Sequence, residues 1–126
     1  MQKILIIEDD KFIQGMMYKK FQADGFEVLT ALNSVEAFNT LNQSQVPDLI
    51  VLDLLLPGVD GFEILKNLSE NESFKKIPVL VFSNLSEAKD VKRAVSLGAK
   101  DFLVKANFTL DELVARVKDL LSQSPK

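Results

Sequence analysis

The sequence predicts an α/β domain: a doubly wound, five-stranded parallel sheet with five helices packed on its two faces in three layers. Three observations carry this. Short apolar runs alternate with segments of helical period along the chain, as repeated βα units require. Two of those runs, Ile4-Leu5-Ile6-Ile7 and Leu49-Ile50-Val51-Leu52, are unbroken, the pattern of strands buried on both faces. The 126 residues suit one domain, with no low-complexity stretch that would serve as a linker.

The strands are expected near residues 3–8, 26–30, 48–53, 78–82 and 101–104. Between the first two, Asp9 and Asp10 suit a helix start, Ile13, Met16, Met17 and Phe21 form one buried face, and Gly25 suits the C-terminal cap. The second helix is capped by Asn33 or Ser34, carries Val35, Ala37, Phe38 and Leu41, and stops before Pro47. Gly61 precedes a third with Phe62, Ile64, Leu65 and Leu68. Ser86 is the expected cap of a fourth that turns Ala88, Val91, Ala94 and Val95 inward and ends at Gly98. In the fifth, Thr109 and Glu112 have capping-box spacing, followed by the stripe Leu110, Leu113, Val114, Val117, Leu120 and Leu121.

Composition narrows the chemistry. With 15 basic and 18 acidic residues the net charge is −3, and the basic residues are scattered, so direct nucleic-acid binding is disfavoured. There is no cysteine and no histidine, which removes thiolate catalysis, imidazole bases and thiolate or imidazole metal sites. Any metal must be held by oxygen. No run approaches the roughly 18 apolar residues of a membrane span, and no signal sequence opens the chain, so a cytoplasmic protein that does not enter membranes is expected.

Right-handed crossovers bring every strand C-terminus to one sheet edge, where ligands bind. The loops there contain Glu8-Asp9-Asp10, Asp53, Ser83-Asn84 and Lys105. Singly, each has an ordinary explanation: acids favour a helix N-terminus, Asp and Ser cap helices, and a lysine ending a strand is solvated. Together they are hard to obtain by chance. Three carboxylates about 5 Å apart repel pairwise by about 3 kcal/mol at an effective dielectric near 20. A divalent ion relieves this; hard oxygen donors favour Mg²⁺, with Mn²⁺ or Ca²⁺ as alternatives. A carboxylate, an ion site, a lysine and a hydroxyl suit phosphoryl transfer onto aspartate, which needs no general base because an ionised carboxylate has no proton to lose.

These residues resemble a known family. Ile4 to Asp10, Asp48 to Asp53 with Leu56-Pro57-Gly58-Val59-Asp60-Gly61, Val81-Phe82-Ser83, and Gly98 to Lys105 are similar to the receiver domain of two-component response regulators, from about Lys3 to Leu121. The resemblance implies a flavodoxin-like sheet of order 2-1-3-4-5, with residues 1–122 as the receiver domain and 123–126 as a tail or linker stub. It implies Asp53 as phosphoacceptor and Asp9 as Mg²⁺ ligand. Glu8 would act nearby, and the Leu55 carbonyl would complete the protein ligands. Ser83 and Lys105 would bind the phosphoryl group, within reach of Asn84, and Phe102 would change rotamer with Ser83; a permanently buried core aromatic is the alternative for Phe102. The implied role is a non-enzymatic signalling switch. A sensor histidine kinase or phosphotransfer protein would supply the phosphoryl group, and a downstream protein or output domain would receive the signal. The chain would be a monomer or a phosphorylation-dependent dimer, and Glu112-Leu113-Val114-Ala115-Arg116 is weakly similar to receivers that dimerise on the face of the fourth and fifth helices.

The chain departs from the family pattern beside Lys105, where Ala106 stands in place of the common proline; a cis bond there would cost about 2.5–4 kcal/mol, which favours trans. Leu55 and Leu85, two residues after Asp53 and Ser83, should impede an attacking water and slow phosphate loss. Phe12 is either a docking contact for the phosphodonor or an edge-of-core aromatic. An aspartyl-phosphate phosphohydrolase is disfavoured because Leu55 occupies the position of its second aspartate. A flavin module is disfavoured for want of a Ser/Thr/Gly-rich phosphate loop.

Overall fold

A computed structural model describes residues 1–43 and 46–123. The strands are β1 (Lys3–Ile7), β2 (Glu27–Ala31), β3 (Leu49–Leu52), β4 (Val79–Ser83) and β5 (Asp101–Val104). They alternate with α1 (Lys11–Ala23), α2 (Ser34–Gln43), α3 (Gly61–Glu70), α4 (Ala88–Ser96) and α5 (Leu110–Gln123). All strand pairs are parallel, in the order β2-β1-β3-β4-β5. The doubly wound sheet and its order are as expected. Among the described residues no helix is long and apolar enough to cross a membrane.

The unbroken apolar runs divide strictly by the period of two. Leu5, Ile7, Ile50, Leu52, Val79 and Val81 enter one core with Ala37 and Leu41 of α2, Ile64, Leu65 and Leu68 of α3, and Ala94 of α4. Ile4, Ile6, Leu49, Val51, Leu80 and Phe82 enter the other with Met17 and Phe21 of α1 and Leu113, Val114 and Val117 of α5. Two cores on opposite faces leave no polar side for β1, β3 or β4. Their polar residues therefore collect at or beyond the strand ends, Lys3 opening β1 and Ser83 closing β4.

Several side chains face differently from the sequence expectation. Met16, Val35 and Val95 are exposed, as is Ala88. The helices exist, but their buried stripes are narrower. In α1 the stripe runs through Met17 and Phe21, and Met16 lies about 100° from Met17. In α2 Val35 is about 200° from Ala37, and in α4 Ala94 alone is fully buried, leaving Val95 and Ala88 to either side.

One cap assignment is corrected and the others are defined. Helix α4 starts after Glu87 rather than Ser86, without a side-chain cap bond. Asn33, not Ser34, caps α2: its Oδ1 accepts the Glu36 amide at 2.9 Å while Glu36 Oε1 accepts from Leu32 N–H at 2.8 Å. Asp60 caps α3, whose first residue is Gly61. The Thr109–Glu112 capping box forms in both directions, at 2.8 and 3.1 Å.

Gly61 is where the fold meets the candidate site. A Cβ at that position would lie 2.5 Å from Leu54 Cα and 2.6 Å from the Asp53 carbonyl oxygen, both backbone atoms with little freedom to move. Gly15 in α1 is the opposite case, with nothing within 4 Å of its notional Cβ. Gly61→Ala is expected to lower stability by about 1–3 kcal/mol through overpacking. Gly15→Ala is expected to raise it by about 0.5–1 kcal/mol through helix propensity. Urea-unfolding midpoints of the two variants check both signs.

Candidate functional site

The parallel register sets the site. Ile7 pairs with Leu52, so the residues that follow, Glu8 and Asp53, emerge side by side. The ladder continues beyond the strands: Glu8 N–H donates to the Ala31 carbonyl and Asp53 N–H to the Ile7 carbonyl, each at 3.0 Å. Both carboxylates are consequently held in buried positions, with Glu8 only 2% and Asp53 6% exposed. Asp9 is exposed and turns back toward them. Glu8, Asp9 and Asp53 each offer a carboxylate oxygen, and all three oxygens lie within 4.8 Å of one another.

Lys105 arrives from the far side. It directly follows β5 as the first residue of a 3₁₀ turn, Lys105–Asn107, that the sequence did not suggest. Its ammonium donates to Asp53 Oδ2 at 2.9 Å and also to Glu8 Oε1. Asp53 Oδ1 accepts the Leu55 amide at 3.1 Å, and Glu8 Oε2 accepts the Asp10 amide at 3.1 Å. Every peptide bond among the described residues is trans, including Lys105–Ala106.

Ser83 ends β4 rather than following it. It is fully buried, and its Oγ accepts from the Leu85 N–H at 3.4 Å. Asn84 is exposed. Phe102 is half-buried and packs against the core of α2, α3 and α4, so it is not fully enclosed. Phe12 is 74% exposed, which removes the edge-of-core reading. The structure thus gathers Glu8, Asp9, Asp53 and Lys105 directly, with the Leu55 amide bonded to Asp53.

Gln14 was missed by sequence reasoning. Its Nε2 donates to the carbonyls of Glu8 and Ala31 at 3.1 and 3.0 Å, tying the ends of β1 and β2 together beneath the acidic cluster. A signal was present: Gln14 is a polar residue three before Met17 and seven before Phe21, on the buried side of α1.

Burial pushes the Glu8 carboxyl above the usual carboxylate range. The Lys105 and Asp10 hydrogen bonds pull it back only partly, and the Asp53 charge adds to the rise. Burial opposes the charged form of Lys105, but hydrogen bonds to Glu8 and Asp53, together with their charges, raise it above the ordinary lysine value. The donor set suits a hard divalent cation: three convergent carboxylates in a chain with no imidazole or thiolate.

A parallel sheet with an acidic cluster and a lysine at its C-terminal edge defines a receiver-type domain. The model of the response regulator receiver domain matches residues 4–118. The chain belongs to this family, whose members act in two-component signalling. It is 35% identical over 122 residues to the phosphate regulon transcriptional regulatory protein PhoB of Rhizobium meliloti (strain 1021), covering 97% of this chain and 53% of that protein. It spans about half the length of the curated relatives it matches. A two-component response regulator from Clostridium difficile superposes with a TM-score of 0.89 at 27% identity, covering 98% of each chain. The Mn²⁺-bound form of response regulator Rcp1 superposes with a TM-score of 0.85 at 26% identity, covering 100% of this chain and 98% of that one.

Replacing Lys105 by Met leaves two buried carboxylates unpaired. In metal-free buffer at neutral pH the variant is expected to be less stable by about 3 kcal/mol, the lower end for a broken buried pair. Lys105 titrates above the ordinary lysine value of about 10.4, so its stabilisation is complete below that pH and is lost as pH rises through the folded value. The gap between wild type and Lys105→Met should therefore narrow above pH 10.4. Denaturant midpoints measured from pH 7 to 11 check this.

Proposed function

We propose that the chain is a phosphorylation-controlled switch in which Asp53 accepts a phosphoryl group from a sensor histidine kinase or phosphotransfer protein. One observation carries the reading: Asp53 is a buried carboxylate joined to Lys105 at 2.9 Å, with Glu8 and Asp9 grouped around it. Lys105 holds Oδ2 while Oδ1 accepts the Leu55 amide and keeps a lone pair for in-line attack at phosphorus. The attacking group is already ionised, so no base is needed.

Glu8, Asp9, Asp53 and the Leu55 carbonyl are the groups that would hold Mg²⁺, with Mn²⁺ fitting the same oxygens. When bound, the ion would neutralise the carboxylates and the equatorial phosphoryl oxygens. Lys105 would transfer its contact from Asp53 to the phosphoryl group. Ser83 would turn its hydroxyl to the same group and give up its bond to Leu85, with Asn84 at the rim. The space Ser83 vacates would let half-buried Phe102 move inward. The output surface would then be α4, β5 and α5, read by a partner protein, an output domain or a second copy of the chain. Residues 1–122 form the receiver unit in this reading, and its place is the cytoplasm.

Incubation with acetyl phosphate and Mg²⁺ is expected to add the mass of one phosphoryl group to wild type and none to Asp53→Ala. A gain in both proteins, or in neither, contradicts the assignment. Leu55 is 51% exposed, Leu85 is partly buried, and both line the groove that also contains Asp9 and Leu54, next to Asp53. Replacing both by polar residues is expected to shorten the phospho-lifetime several-fold; an unchanged or longer lifetime in intact-mass time courses contradicts the shielding.

A further inference from the structure

An open groove of about 540 Å³, lined by Asp9 of the acidic cluster and by Leu54, the residue after Asp53, runs between the loops after β3 and β4. Its walls include Leu54, Leu55 and Leu85, together with Asp9 and Arg93 of α4. This is the size of a small-molecule site. Asp60 also lines it but is occupied as the N-cap of α3. Arg93 is the one cation among the described lining residues, and no carboxylate lies within ion-pair distance of it among the described residues.

Arg93 is nevertheless held in place. Its guanidinium carbon lies 4.1 Å from the centre of the Phe62 ring, a cation–π contact, and its N–H edge has no carboxylate partner among the described residues. That edge is the part of a guanidinium that matches a carboxylate in two parallel hydrogen bonds.

We propose that Arg93 determines which small phosphodonors the site accepts, by pairing with the carboxylate released when an acyl phosphate transfers its phosphoryl group to Asp53. The inference rests on the reading of Asp53 as phosphoacceptor. An Asp53 oxygen bonds to phosphorus, and the bond between phosphorus and the acyl oxygen breaks, its electron pair staying on that oxygen. The products are aspartyl phosphate and a carboxylate anion, with no proton transferred. In-line geometry sends the leaving group outward, away from Asp53. Without Arg93 the departing anion would meet a groove whose remaining charges, Asp9 and Asp60, are negative. The short apolar part of the donor would rest against Leu55 and Leu85. A phosphoramidate differs at one point: its protonated nitrogen leaves as neutral ammonia, which gains nothing from a guanidinium.

Initial rates of phosphorylation of the full chain, measured by intact mass with acetyl phosphate and separately with phosphoramidate, test this. Arg93→Gln is expected to slow the acetyl phosphate reaction about fivefold, the reach of a partly exposed ion pair, and the phosphoramidate reaction less than about twofold. Arg93→Lys, which keeps the charge without the fork, should recover part of the loss. Equal slowing with both donors would make Arg93 a structural support of α4 and overturn the proposal, as would unchanged rates with both. Wild type that accepts from neither donor would overturn the Asp53 reading itself, and the proposal with it.

Discussion

The ammonium of Lys105 is the constraint on which the rest of the site depends. It joins Glu8, 97 residues away in sequence, and Asp53, 52 residues away, at an edge where the sheet brings their strands together. Without a cation there, adjacent strands would present two buried like charges, a repulsion of about 3 kcal/mol for a pair at about 5 Å and an effective dielectric near 20. The fold accepts that arrangement because β5 delivers Lys105 beside β4, and β4 lies beside β3. The parallel topology and the electrostatics are one problem with one solution.

The two cores explain why the site sits where it does. β1, β3 and β4 are enclosed on both faces, so a charged side chain along their length would be buried without a partner. At the C-terminal ends the chain leaves the sheet, and the loop amides of Asp10 and Leu55 hold the Glu8 and Asp53 carboxylates. Gly61 illustrates the tightness: α3 packs so close behind Asp53 that even a methyl group would meet backbone. Gln14 does the same work from α1, clamping two strand ends by their carbonyls.

Much of this was legible in the sequence because it rests on local rules. The alternation of strand and helix, the capping box at Thr109, and the acids and lysine at strand ends all survive in the structure. The phase of the helical stripes did not. Met16, Val35 and Val95 share the apolar character of their neighbours, and only packing against the sheet decides which neighbour turns inward. Glu87 displaced Ser86 as the cap position because the loop after Ser83 runs one residue further, a matter of loop geometry that side-chain preference does not reveal. The cation–π contact of Arg93 with Phe62 joins residues 31 apart on different helices, and no spacing rule foretells it.

The coupling between Lys105 and Asp53 is the direct measure of whether this ion pair organises the site. A double-mutant cycle of Lys105→Met and Asp53→Asn, with unfolding free energies taken in metal-free buffer at neutral pH, isolates it. The structure requires a coupling of about 2 kcal/mol or more, so that removing the carboxylate recovers much of the stability lost with the lysine. Additive effects, within about 0.5 kcal/mol of zero coupling, would contradict it.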